Sequence, residues 1–118
     1  MKDQLNFTPN NNKYKNDEFP RKYDKIEVDA LKKILLNEPN LVNLKNESSG
    51  TTLLFRAVQL GNNNIAECLL EGGADPNLQN CFGETPLHQA IENKNYKLIN
   101  LLLEKNANPD IQQQVLNN

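Results

Sequence analysis

The 118 residues carry 13 basic and 15 acidic side chains, a net charge of -2, with 37% hydrophobic residues and a mean hydropathy of -0.72. That length holds one domain with a thin core, because a domain near this size buries only about two-thirds of the surface its unfolded chain exposes. The charge balance excludes a global attraction to nucleic acid or to an anionic membrane, no apolar run reaches the ~20 residues of a membrane span, and the polar opening Met1-Lys2-Asp3-Gln4-Leu5-Asn6 lacks the apolar core of a secretory signal.

Residues 1–25 contain two prolines, the run Asn10-Asn11-Asn12 and aromatics only at Phe7, Tyr14, Phe19 and Tyr23. Six basic residues face four acidic ones there, a balance of +2 against -4 for the rest of the chain. This composition reads as a flexible arm, either solvated or laid along a partner. From Ile26 the pattern turns helical, with Val28, Leu31, Ile34 and Leu35 near a 3.6 period, and it stops at Asn37-Glu38-Pro39. Residues 26–44 form the second half of a degenerate unit whose own first helix is poorly encoded by Phe19-Pro20-Arg21-Lys22-Tyr23.

Two full units follow, at 47–79 and 80–111, before a short tail at 112–118. Residues 50–78 laid over 83–111 without a gap share ten identities in twenty-nine positions. Gly50-Thr51-Thr52-Leu53-Leu54-Phe55-Arg56-Ala57 returns as Gly83-Glu84-Thr85-Pro86-Leu87-His88-Gln89-Ala90. A 33-residue period marks a stack of units that bury their apolar faces against one another. Each unit reads as helix, turn, helix and extended loop. Thr52 and Thr85 supply N-caps, Pro86 suits a first helical position, and Gly72-Gly73 and Lys105-Asn106 supply the helix stops. Leu54, Ala57, Val58 and their counterparts Leu87, Ala90, Ile91 are the expected inner stripe of the first helices. Ile65, Cys68, Leu69 and Leu98, Ile99, Leu102 are that of the second. One residue is inserted near Ser48-Ser49. Cys68 reads as a core residue and Cys81 as a loop residue, so no disulfide is expected between them, and the cytoplasm or the nucleus is the expected compartment.

These segments resemble the ankyrin repeat. Asn80 to Ala90 is similar to the family's opening Gly-x-Thr-Pro-Leu-His-x-Ala, and Leu101-Leu102-Leu103-Glu104-Lys105-Asn106-Ala107-Asn108-Pro109-Asp110 to its closing Leu-Leu-Leu-x-x-Gly-Ala-Asp-x-Asn. In the first full unit Leu53 replaces the motif proline and Phe55 the histidine, so the family's Thr-to-His side-chain bond is expected only between Thr85 and His88. The resemblance implies an all-α solenoid of helix-turn-helix units with extended loops, two full repeats plus an N-terminal half-repeat. It also implies a module that binds protein; with the charge balance, the lack of an apolar span and the missing catalytic residues, no nucleic acid, membrane insertion or small-molecule substrate is expected.

By the same resemblance, partners grip the loop tips and the exposed side of the first helices. Carried over by position, these are Ser48, Ser49, Thr51, Gln59 and Leu60 in the first full unit and Cys81, Phe82, Glu84, Glu92, Asn93 and Lys105 in the second. Arg56 joins them because guanidinium groups are favoured at interfaces. Phe82 and Leu60 are the candidate anchors, unless Phe82 folds back over its own unit. No catalytic, cofactor or metal constellation is expected. His88 is the only histidine, Cys81 has no encoded base beside it, and no glycine run has phosphate-loop spacing.

Such stacks usually need about three repeats, so an uncovered side at Leu98, Leu101, Leu102 and Ile111 is expected. Burying even about 200 Å² there would contribute on the order of 5 kcal/mol before ordering costs. The expected role is a small adaptor or structural subunit, stable mainly when docked, with a stoichiometric inhibitor as the alternative.

Overall fold

The computed structural model describes residues 18–113. A 3-10 turn (Arg21–Tyr23) leads to α1 (Val28–Asn37) and a second 3-10 turn (Pro39–Asn43). Two helix pairs follow, α2 (Leu53–Leu60) with α3 (Asn63–Glu71), then α4 (Pro86–Glu92) with α5 (Tyr96–Glu104). The described residues form an all-α solenoid without strands.

Local chemistry sets these boundaries, and it recurs 33 residues apart. Thr52 Oγ1 accepts the Phe55 N–H at 3.1 Å, and Thr85 Oγ1 accepts the His88 N–H at 3.3 Å. Asn62 and Asn95 cap the second helices in the same way, accepting from the Ile65 and Leu98 N–H groups, both at 3.2 Å. These satisfy donors that a helix N-terminus otherwise leaves unpaired. Each pair turns through a left-handed residue, Gly61 in the first and Lys94 in the second, and each second helix is followed by another, Gly73 and Asn106.

Within each pair the helices pack on one another; α2 then packs on α4, α3 on α5, and α1 on α3. Leu54, Val58, Leu69, Ala90, Leu98 and Leu102 are sealed in one continuous core. The alanines allow close approach: Ala66 and Ala90 have no exposed surface. Two tight loops stack alongside the helices. In one, the Asn46 N–H reaches the Thr51 carbonyl at 2.9 Å; in the other, the Asn80 N–H reaches the Glu84 carbonyl at 2.9 Å. The first loop is one residue longer, which places the insertion at Ser48-Ser49. The loops are joined by the Cys81 N–H donating to the Ser49 carbonyl at 2.8 Å. Gly50 lies against this joint with φ +72°, and a Cβ there would meet the Cys81 nitrogen at 3.0 Å. On the far side of the units, the Asn43 and Asn77 side chains accept the Asp75 and Asn108 N–H groups, each at 2.8 Å.

Three expectations are corrected. Residues 18–25, assigned by composition to a flexible arm, include Phe19 at 1% exposure within the core, edge-on to Tyr23 with ring centroids 6.2 Å apart. The Asn46 amide donates to the Phe19 carbonyl at 2.6 Å, and Asp24 pairs with Arg56 on α2. This segment thus packs where the half-unit lacks a leading helix. Residues 1–17 and 114–118, the rest of the expected arm and most of the tail, lie outside the described residues. Second, Ile91 was placed on an inner stripe but is 54% exposed, whereas its counterpart Val58 is fully buried. Val58 is covered by the pair that follows it; among the described residues no pair follows Ile91. Third, Leu98 and Leu102 are buried rather than uncovered, while Leu101 and Ile111 are half-buried. The open side is formed instead by Ile91 and Leu103, the latter 43% exposed against 6% for its counterpart Leu70.

Candidate protein-interaction surface

Five of the expected residues come together. Ser48, Ser49 and Thr51 on the longer loop and Arg56 and Gln59 on α2 line one depression of about 190 Å³ with Arg21, over a floor that includes Phe19 and Pro20. The loop is held from within by Asn46 Oδ1, which accepts the N–H groups of Ser48 at 2.8 Å and Ser49 at 2.9 Å. The Ser49 and Thr51 hydroxyls are 2.7 Å apart. Arg56 is the fixed element of the wall. Its Nε and Nη2 donate to the two Asp24 oxygens at 3.0 and 2.8 Å, and Nη1 donates to Gln59 Oε1 at 3.0 Å. Hydrogen bonding to Asp24 holds the guanidinium pKa above its ordinary value despite the opposing effect of burial. Arg56 is therefore a clamp on the N-terminal segment, not only a free side chain for a partner.

The remaining residues spread along the stack. Cys81 and Phe82 are exposed on the second loop, with Phe82 at 59%, so its ring stands in solvent and does not fold back over the unit. Glu84 is half-buried and accepts from Asn80 Nδ2 at 2.8 Å, while Asn80 Oδ1 accepts the Phe82 and Glu84 N–H groups. Leu60, at the end of α2, is 47% exposed. Glu92 and Asn93 are exposed at the end of α4, but the Asn93 amide donates to the Val58 carbonyl at 3.2 Å and so ties one unit to the next. Lys105 stands apart at the C-cap of α5.

Asp24 and Arg21 were missed in this setting by sequence reasoning, because no helical period runs through residues 18–25, and Asn46 was missed on the longer loop. A signal was present. Asn46 and Asn80 occupy equivalent loop positions, and an Asn that accepts two backbone N–H groups builds a local turn.

The Thr85 N–H donates to His88 Nδ1 at 2.8 Å, which makes that nitrogen an acceptor and leaves Nε2–H to donate to the Ile111 carbonyl at 3.0 Å. Thr85 Oγ1 lies 3.1 Å from the same Nδ1, the expected Thr-to-His bond. Cys68 is buried, and that burial pushes its thiol pKa up; Cys81 is exposed, and the two are not bonded. No helix among the described residues is long and apolar enough to cross a membrane.

Comparison with known proteins agrees with this architecture. The chain is 34% identical over 67 residues to an ankyrin repeat protein of Rickettsia felis, covering 54% of this chain and 30% of that protein. It is 42% identical over 60 residues to the 2-5A-dependent ribonuclease of Homo sapiens, covering 51% of this chain and 8% of that protein. The chain thus spans less than a third of the length of either relative. A family model for ankyrin repeats, in three copies, matches residues 24–113, starting just beyond the Arg21–Tyr23 turn. Ankyrin repeats are protein–protein interaction modules, and this chain belongs to the ankyrin repeat family.

Proposed function

We propose that the chain is a non-catalytic adaptor or structural subunit of a larger protein assembly, working in the cytoplasm. The observation that carries this reading is the difference between Val58, fully buried, and Ile91, its counterpart at 54% exposure. Ile91 and Leu103 have the apolar chemistry of a unit-to-unit contact without a covering pair among the described residues, and exposed apolar surface of this kind marks interaction sites. Phe82 and Leu60 add apolar groups along the loop side and the α2 end, where the same family engages partners. The ring nitrogens of His88 are both engaged within the fold, which favours a structural role for the one histidine.

Affinity purification of the full chain from its native cells, followed by mass spectrometry and an activity assay of the complex, tests the reading. A stoichiometric partner that stays active, and that is lost on Phe82→Ala with Leu60→Ala, is the expected result. Stoichiometric silencing of the partner would replace the adaptor by an inhibitor. Turnover by the purified chain alone would overturn both.

A further inference from the structure

We propose that the depression between the longer loop and the start of α2 is a receptor for a carboxylate side chain, Asp or Glu, of a protein partner. The inference rests on the protein-binding reading above and adds the chemistry that a partner presents at one site.

The wall is a set of hydrogen-bond donors with unused capacity. Arg56 has five N–H donors, and three are engaged, two by Asp24 and one by Gln59, so two remain. Arg21 lines the depression, is exposed and forms no ion pair among the described residues. Ser49 and Thr51 share one hydroxyl proton across 2.7 Å, and the other hydroxyl proton of the pair has no acceptor among the described residues. The Ser48 side chain is exposed, and its hydroxyl has no partner among the described residues. Among the described residues no Asp or Glu side chain lines the depression, and Asp24, which holds two of the Arg56 donors, stands outside its lining.

Rigidity makes the set more than a loose collection. The loop is pinned by Asn46 Oδ1 and by the Cys81 N–H on the Ser49 carbonyl, and Arg56 is locked bidentately on Asp24. Donors held in place lose little freedom on binding, which is what lets a shallow site hold a small group. Phe19 and Pro20, both buried, back the depression and fix the place of Arg21 beside it.

Charge selects a carboxylate over a phosphate. Asp24 neutralises Arg56, so the two arginines and this aspartate leave one net positive charge. A monoanion matches that charge, whereas a phosphate dianion would place its second charge beside the Asp24 carboxylate.

The test is an NMR titration of the full chain with N-acetyl-glutamate methylamide, with N-acetyl-glutamine methylamide and inorganic phosphate as parallel arms. Saturable shifts are expected at the Ser48, Ser49 and Thr51 amides and at the Arg21 and Arg56 Nε–H groups, with the glutamate probe alone. The shifts should fade as salt is raised. Arg21→Gln, on an exposed side chain that the fold does not need, should weaken the glutamate effect about fivefold at an unchanged melting temperature. Equal shifts with the glutamine probe, tighter binding of phosphate, shifts spread over unrelated lysines, or no effect of Arg21→Gln would each overturn the carboxylate site. None of those outcomes bears on whether the chain binds a protein partner, which the co-purification tests separately.

Discussion

The two full repeats share one backbone plan and differ in what lies above them. Their N-caps and left-handed turns coincide at 33-residue spacing, yet Val58 and Leu70 are buried in the first while Ile91 and Leu103 are open in the second. Residue type does not explain this, since isoleucine is at least as apolar as valine and leucine is matched by leucine. Position in the stack does. In a quasi-one-dimensional architecture each unit is buried by its neighbours, so the same side chain is core in one repeat and surface in the next.

The comparison breaks most sharply under a charge. Val58→Asp should destabilise the chain by about 3 kcal/mol or more, because an unpaired carboxylate would be sealed between two units. Ile91→Asp should stay within about 0.5 kcal/mol, since its side chain reaches water. Paired urea melts measure both. A smaller effect is expected at the position where the repeats differ in chemistry, Phe55 against His88. His88→Phe removes an acceptor for the Thr85 N–H and the donor to the Ile111 carbonyl, and should cost about 1–2 kcal/mol while loosening protection of residues near Ile111 in amide exchange.

Next in size is the clamp on the first repeat, which has no counterpart on the second among the described residues. A double-mutant cycle on Asp24→Ala and Arg56→Ala should return a coupling of about 1 kcal/mol, reduced at high salt because both side chains are nearly a quarter exposed. The smallest expected effect sharpens the equivalence of the inter-helix turns. Gly61 and Lys94 share the left-handed conformation, with φ 73° and 58°, so Lys94→Gly should stabilise the chain by about 0.5–1 kcal/mol in the same melts.

These contrasts also mark what could be read from sequence. The helix pairs, the Thr52 and Thr85 caps, the stops at Gly73 and Asn106 and the loop insertion are local features, encoded by residues within a few positions of the structure they specify. Ile91 could not be placed this way, since its burial depends on a neighbouring unit and not on its own helix. Phe19 was hidden for a related reason: an aromatic beside Pro20, in a polar stretch with no period, joins the core cluster and is tied to the longer loop by Asn46. Arg56 showed its type but not its commitment, because Asp24 lies 32 residues away in the chain. The candidate interaction residues were legible as positions. That five of them share one depression required the insertion loop and the N-terminal segment to be seen together.

The central claim is that, among the described residues, the second repeat presents an open stacking face that the first repeat has closed. Thiol labelling of the full chain tests it most directly, with Val58→Cys and Ile91→Cys made separately and Cys81 and Cys68 serving as exposed and buried references. Labelling at position 91 should proceed at a rate near that of Cys81, and at position 58 as slowly as that of Cys68. Protection of position 91 to the level of position 58 would contradict the account.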